Sequence, residues 1–438
     1  MYQKVKLMGK SNNIIAAVDV GTTKVVVVAG RRNDDGKIEV LGVGKTRSMG
    51  VKRGVVLNIE EAFKAIHEAI RQAEDVMNAD INEVYVNIVG QQLKTFTLKT
   101  EKYVGENHIV SEEDVESLFQ YAQKTALPEG YKIYHAIPQL FRIDQEAGIP
   151  NPVGIAGEKL EVDFKLLVAP EVYEHNLKMC FDRAGIKVRK SMIDPLASSE
   201  VLLSEDEKEA GVILLDIGGG TTKVAIYHDG VLCYSSLIPF GGNVLTNDIK
   251  EGCSILARQA ESLKVQFGQA MGDFAPEDKV VTIPGISGWE PKEISFKNLA
   301  FIIQARMDEI IDAFFFQIEK SGYLEKVGAG IVLTGGTALL PNLSQLIKYR
   351  TGMDVRKGIP RLKLDHPWKE LEDPRNATVL GLLLAGLNDL ENESSKNRMR
   401  IKKNKPKNTQ PGFFSNMRQQ VARQVTLFFE DEQDAEMY

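Results

Sequence analysis

Two short stretches of the chain carry the same set of reactive groups. Asp19-Val20-Gly21-Thr22-Thr23-Lys24 lies inside AAVDVGTTKVVVVAG, and Asp216-Ile217-Gly218-Gly219-Gly220-Thr221-Thr222-Lys223 lies inside LLDIGGGTTKVAIYHDG. Each is an apolar run that reaches an aspartate, turns through glycine and threonine, and returns as a second apolar run. Val- and Ile-rich segments on both sides of a glycine turn predict a β-hairpin. Small residues at its tip let backbone N–H groups come close to an anion, and threonine hydroxyls add donors. An aspartate just before the turn can hold Mg²⁺ through water, because that ion dehydrates reluctantly. Asp19 and Asp216 are therefore the candidate metal carboxylates, acting through water. Gly21, Thr22, Thr23, Lys24, Gly218, Gly219, Gly220, Thr221 and Thr222 are the candidate phosphate-binding residues. One such hairpin alone is most simply an ordinary glycine turn. A facing pair would clamp a nucleotide's phosphates from both sides of a cleft.

A third element points the same way. IVLTGGTALLPNL reads as a buried strand ending in Gly335-Gly336-Thr337 and followed by a helix. Bare glycine backbone at a strand end can lie against a flat adenine, although a glycine-broken strand–helix turn has the same pattern. Gly44-Lys45-Thr46 matches the end of a P-loop, but Glu39 stands where that loop needs its first glycine, and RSMGVKRG does not read as a helix. No P-loop is expected.

The elements that must position these groups are those of a large α/β protein. At 438 residues the chain can build two or more cores. Its 43% apolar and 26% charged residues are ordinary for a globular protein, and a net charge of −6 argues against a general nucleic-acid-coating surface. Cys180, Cys233 and Cys253 are scattered and odd in number, so a reducing compartment is expected, without disulfides or a zinc site. The first apolar run, Ile14 to Val18, is too short for a signal peptide, and no run approaches the ~20 apolar residues of a membrane span. VLGLLLAGL, Val379 to Leu387, reads as a buried helix. Ile59 to Met77 has helical apolar spacing behind an Asn58 cap, and SEEDVESLFQYA opens with a capping serine, Ser111. Residues 1–83 are expected to start a first lobe, 84–165 to form a small α+β insertion, 166–211 to complete that lobe, and 212–390 to form the second. Residues 391–411 read as a basic disordered linker, 412–430 as an amphipathic helix, and 431–438 as an acidic tail.

The order hairpin, hairpin, GGT resembles the phosphate-1, phosphate-2 and adenosine motifs of the actin–Hsp70–sugar kinase superfamily. The resemblance implies two duplicated RNase H-like lobes around an ATP cleft, one phosphate hairpin per lobe. Over about Ile14 to Phe429 the chain resembles the FtsA family of bacterial cell-division proteins more closely. HAIPQLFRID and GIPNPVGIAG resemble the family's inserted 1C domain, and DIGGGTTKVAIY, IPFGGNVLTNDI and AESLKVQFG resemble its second lobe. By this resemblance Gly241, Gly242 and Asn243 border the nucleotide, and Glu261 and Lys264 approach its ribose; a plain i,i+3 surface pair is the other reading of the last two. Asp194, before Pro195-Leu196-Ala197-Ser198, stands where filament-forming and chaperone relatives carry a water-orienting acid. Asp-Pro is equally a helix-start signal, which would make Asp194 an N-cap.

In the terminal segment Phe414, Met417, Val421, Val425 and Phe428 recur at helical spacing, Phe413 and Phe429 widen the stripe, and Arg418 and Arg423 lie off it. A helix of about 17 residues would span roughly 25 Å and could lie flat in a lipid interface. The linker's Lys396, Arg398, Arg400, Lys402, Lys403, Lys405 and Lys407 would favour anionic lipid by about 1 kcal/mol per charge. Docking of this helix on the chain's own core or on a partner is the alternative. The resemblance implies a peripheral protein on the cytoplasmic face of the inner membrane at the division site, which self-associates into filaments. It also implies binding of the C-terminal peptide of the tubulin-like FtsZ near subdomain 2B, recruitment of other divisome proteins, and at most slow ATP hydrolysis. There Arg306 is either a basic contact for that peptide or a solvated helix residue. An actin-like scaffold of a pilus or secretion system and a soluble small-molecule kinase are the competing readings.

Overall fold

The computed structural model describes residues 14–88, 92–285 and 290–403, with side chains as far as 393. Two compact units are formed. The first comprises the described residues up to Phe96, Leu127–Ile137 and Lys165–Leu387; the second comprises Thr97–Ala126, Pro138–Phe164 and the described residues after Leu387.

The first unit holds two sheets built alike. One has the order Lys187–Ile193, Glu83–Ile88, Ile15–Val20, Lys24–Arg32, Ile38–Arg47, with Leu364–Asp365 on the edge. The other has the order Val355–Lys357, Ile331–Thr334, Val212–Ile217, Thr222–His228, Val231–Ile238. In both, the strand before the glycine turn starts an antiparallel meander of three and gains two parallel neighbours on its other side. The sequence repeat is thus a repeat of topology, the RNase H-like order expected of duplicated lobes.

Parallel neighbours need a crossover, and helices supply it. Helix Ile59–Met77 joins Ile38–Arg47 to Glu83–Ile88. Asn58 caps it, accepting from Glu60 N and Glu61 N at 3.1 and 3.2 Å. Its Ala62, Ala65, Ile66, Ala69, Ile70 and Ala73 are buried in one cluster with Val18, Val25, Val27, Val84 and Val86. The second lobe packs helix Phe296–Ser321, through Ile303, Met307, Ile310 and Phe314, into a cluster with Ile213, Leu215, Val224 and Leu333. Both hairpins therefore grow from strands buried along their length, which fixes the position of their tips.

Two segment boundaries differ from the sequence expectation. The insertion was expected from residue 84, but Glu83–Ile88 is a central strand of the first sheet, paired with Ile15–Val20 and Lys187–Ile193. Its apolar run is buried, whereas the polar alternation that marks the insertion starts with Lys94–Tyr103. That strand begins a separate sheet ordered Lys94–Tyr103, Lys159–Pro170, Tyr131–Ile143, Glu146–Ile149. Within the second unit, helix Glu112–Gln123 opens with a reciprocal capping box between Ser111 and Asp114. The expected buried helix at Val379–Leu387 is present, but the helix runs over Ala377–Lys403, through the first part of the expected disordered linker. ENESSKNRMRIKK is polar but contains neither proline nor glycine, and Glu, Lys, Arg and Met are good helix formers. The rest of the linker, the amphipathic helix and the acidic tail lie outside the described residues. No described helix is long and apolar enough to cross a membrane.

Candidate functional site

A cleft of about 550 Å³ opens in the first unit, between the two glycine hairpins and the GGT turn. The hairpins close with equivalent bonds: Gly21 N–H donates to Lys24 O at 3.0 Å, and Gly218 N–H to Thr221 O at 2.9 Å. Their tips meet. A Cβ on Gly219 would lie 2.3 Å from Thr23 Cγ2, and one on Gly220 would lie 2.6 Å from Thr22 Oγ1. The run of three glycines is therefore what allows two threonine-bearing turns to sit tip to tip.

Different neighbours hold each tip. Thr22 Oγ1 accepts from Gly54 N at 3.0 Å and Thr23 O from Ser48 N at 3.1 Å. Lys24 Nζ donates to Arg375 O at 2.8 Å and to Asn376 Oδ1 at 2.6 Å. On the second hairpin, Gly218 O accepts from Gly242 N at 2.9 Å and from Thr337 Oγ1 at 3.1 Å, and Gly219 O accepts from Asn243 N at 2.7 Å. The start of helix Gly242–Cys253 and the GGT turn thus brace one hairpin. Gly335, at φ +88°, ends its strand so close to Asp216 that a Cβ there would be 2.3 Å from Asp216 Oδ1. A short 3₁₀ turn, Gly336–Leu339, follows, and the expected helix begins only at Leu343.

Beneath the tips lies a buried charged group. Asp216 Oδ2 accepts from Lys223 Nζ at 2.8 Å. Lys223 also pairs with Asp194 Oδ2, and Asp194 Oδ1 accepts from Asn87 Nδ2 at 3.0 Å. Burial opposes the charge on Lys223, but the Asp194 and Asp216 carboxylates outweigh it and hold its pKa above the ordinary lysine value. Asp19 is different. It lines the same cleft at 8% exposure and makes no ion pair within 4 Å among the described residues. Burial, and then the Asp194 charge, push its carboxyl up to about 7. Burial also lowers Lys24 to about 8, against the pull of Asp19. A buried carboxylate without a partner, facing Asp216 across a cleft rimmed by small residues and cations, fits a hydrated divalent ion and the anion it accompanies.

All the sequence-predicted cleft residues except Thr222 and Gly241 line this cavity. Those two stand just behind it: Thr222 Oγ1 donates to Phe240 O at 2.9 Å, and a Cβ on Gly241 would lie 2.5 Å from Gly218 O. Glu261 and Lys264 form the expected i,i+3 pair at the cleft wall, at 2.7 Å, and Lys264 Nζ also donates to Gly242 O at 2.9 Å.

Asp194 is a correction to its N-cap reading. Ile193 occupies the cap, Asp194 is the first helical residue, and no side chain caps this helix. Arg306 is not a freely solvated cation either: it grips Asp248 with two nitrogens, at 2.5 and 3.1 Å, and also pairs with Glu309. Phe413, Phe414, Met417, Arg418, Val421, Arg423, Val425, Phe428 and Phe429 lie outside the described residues.

Sequence reasoning missed Asn87, Lys223 and Lys45. Lys45 reaches the cleft from strand Ile38–Arg47, as a strand residue and not from a P-loop. Lys223 had a readable signal. In a hairpin closed this way, the residue seven after the aspartate stands directly opposite it, and Asp216 pairs in register with Lys223. Asn87 had no local signal, because its partners Val20 and Asp194 are 67 and 107 residues away.

The family model for cell division protein FtsA matches residues 213–381, and the model for the SHS2 domain inserted in FtsA matches 90–168, which sets the insertion boundary after Ile88. Cell division protein FtsA of Pseudomonas aeruginosa is 33% identical over 382 residues, covering 86% of this chain and 90% of the relative. The chain belongs to the FtsA family of cell-division proteins. The Borreliella burgdorferi member is 34% identical over 411 residues, 92% of this chain and 98% of that one. Two solved structures share the fold at low identity. The PilM–PilN type IV pilus biogenesis complex has a chain with TM-score 0.59 at 15% identity, covering 85% of this chain and 98% of that one. MreB5 of Spiroplasma citri bound to AMPPNP gives 0.53 at 14%, covering 89% and 99%. The fold of this FtsA-family chain is accordingly actin-like.

Proposed function

We propose that this actin-like cell-division protein binds ATP with Mg²⁺ in the cleft and polymerises at the cytoplasmic face of the inner membrane, tethering the FtsZ ring there. One observation carries the nucleotide reading: two glycine hairpins meet tip to tip over a buried acidic pair, with a third glycine turn on the same cleft. In this reading Gly21–Lys24 and Gly218–Thr222 cradle the phosphates. Asp19 and Asp216 hold the hydrated ion, which would neutralise phosphate charge. Gly335, Gly336 and Thr337 lie under the base, Gly241, Gly242 and Asn243 border the nucleotide, and Glu261 and Lys264 reach the ribose. The AMPPNP-bound MreB5 of the same fold supports the ligand class.

Assembly and attachment follow from chemistry at the chain's end. The sequence pattern of Phe413, Phe414, Met417, Val421, Val425, Phe428 and Phe429, with Arg418 and Arg423 off the stripe, is that of an amphipathic helix, which alone would give only marginal attachment to anionic lipid. Many copies on one filament gain avidity. Slow hydrolysis would then regulate assembly. Arg306 is proposed to meet the FtsZ C-terminal peptide, and to do so it would exchange part of its Asp248 and Glu309 pairing. Other divisome proteins would be recruited by the same filament. The pilus-scaffold reading is not preferred, because relatives at 32–34% identity over most of the chain are division proteins.

Sedimentation with anionic liposomes tests this reading. The full chain is compared with one stopped before Gly412, each with and without ATP and Mg²⁺. Pelleting of the full chain alone, raised by ATP, is the expected result. If both chains stay in solution in every condition, the membrane-tether reading is wrong.

A further inference from the structure

We propose that Asn87, Asp194 and Lys223 form one positioning unit that ties the two hairpins together beneath the cleft, and that Asp194 belongs to this tie rather than to an attacking water. The tie stands on geometry; only its consequence for affinity rests on the ATP reading above. Four bonds run in series. Val20 N–H, between Asp19 and Gly21 of the first hairpin, donates to Asn87 Oδ1 at 2.7 Å. Asn87 Nδ2 donates to Asp194 Oδ1 at 3.0 Å. Lys223 Nζ pairs with Asp194 Oδ2 and donates to Asp216 Oδ2 at 2.8 Å, in the second hairpin.

Asn87 and Asp194 are each 2% exposed, so the link between them is shielded from water, where charge-assisted bonds are strong and mutually reinforcing, while Lys223 and Asp216 carry the chain of bonds to the cleft wall. Both Asp194 oxygens already hold a donor, Asn87 on one and Lys223 on the other, so the carboxylate is fixed by the tie. Each oxygen keeps a second acceptor site, and hydrolysis by Asp194→Asn decides whether a water uses it. Asn87 does not line the cleft, so any effect it has on a bound nucleotide must pass through its partners, Val20 of the first hairpin and Asp194.

The test uses the full chain carrying Asn87→Ala, Asn87→Asp or Lys223→Met, and the Asn87→Ala/Lys223→Met double variant. Thermal unfolding without nucleotide comes first. Each single change lowers Tm by several degrees, and the double variant falls clearly short of the sum, because either change cuts the same chain of bonds. Asn87→Asp is worse than Asn87→Ala: it keeps the acceptor for Val20 but sets a second carboxylate, with no N–H, against Asp194. If Lys223→Met does not fold, Asp194→Asn completes the cycle with Asn87→Ala. Fluorescent ATP with Mg²⁺ comes second. Asn87→Ala weakens affinity about tenfold, while hydrolysis at saturating ATP stays within about twofold of the parent.

Additive losses of Tm, Asn87→Asp milder than Asn87→Ala, or unchanged ATP affinity in Asn87→Ala would each overturn the tie. So would Asp194→Asn that keeps ATP affinity but loses hydrolysis at saturating ATP, which would return Asp194 to the water. Failure of the unsubstituted chain to bind ATP would overturn the reading of the cleft instead, with the Tm cycle still deciding the tie.

Discussion

The two hairpins share topology, closing bond and most of their letters, yet they differ in charge. Asp216 faces Lys223 across its own hairpin and pairs with it, sharing that lysine with Asp194. Asp19 faces Val26, and its lysine, Lys24, ends the turn and reaches out to Arg375 and Asn376. The cause is two residues of spacing. Lys24 follows Asp19 by five positions, and Lys223 follows Asp216 by seven. The same Thr-Thr-Lys string therefore yields a self-paired acid in one lobe and an unpaired one in the other. An acid left unpaired inside a cleft is destabilising until a ligand supplies the missing charge, so the first hairpin is where ligand binding should act most on stability.

The sharpest way to break the comparison is to remove the brace of the second hairpin. Gly335→Ala puts a side chain at φ +88° with its Cβ against Asp216 Oδ1 and 2.6 Å from Ile217 O. A loss of about 3 kcal/mol or more is expected, read by denaturant unfolding, together with loss of measurable ATP binding. Next is Gly220→Ala, whose Cβ would meet Thr22. Forcing the tips apart should weaken ATP binding about tenfold and cost about 1–2 kcal/mol of stability. Adding Thr22→Ala should recover part of both losses, because it removes Oγ1 and Cγ2, the two nearest atoms, and leaves only Cβ at 2.9 Å. If Gly220→Ala binds ATP like the parent, the tips do not act together.

The smallest effect sharpens the electrostatic difference. The folded-state pKa of Asp19 lies above its ordinary 3.8, at about 7. Between these values the folded chain binds more protons than the unfolded one, so this group's contribution to stability falls as pH rises from about 4 to 7. Asp19→Asn should flatten that slope and raise the Tm of the nucleotide-free protein at pH 7, while weakening ATP binding in the presence of Mg²⁺. The matching change Asp216→Asn should lower Tm, since it strips Lys223 of a partner. Differential scanning calorimetry across pH 4 to 8 reads both.

Much of this was legible in the sequence because it is local. Apolar spacing and the Asn58 cap define the Ile59–Met77 helix as observed, and the glycine turns mark both hairpins. Two features were not legible. Asn87 acts through partners on another strand and on a helix, and nothing around it in VYVNIVG distinguishes it from a polar residue at a strand end. The helical stretch to Lys403 was misread because polarity without periodicity suggests disorder, although helix propensity there is high. Tip-to-tip packing also lies beyond sequence reading: three glycines announce a tight turn, but not that threonines from the other lobe fill the space.

The most direct test of the central claim is amide hydrogen exchange on the full chain, with and without ATP and Mg²⁺, read at Gly21–Lys24 and Gly218–Thr222. The account predicts that nucleotide slows exchange at both tips together. Protection at one tip alone, or at neither while ATP is bound, would contradict it.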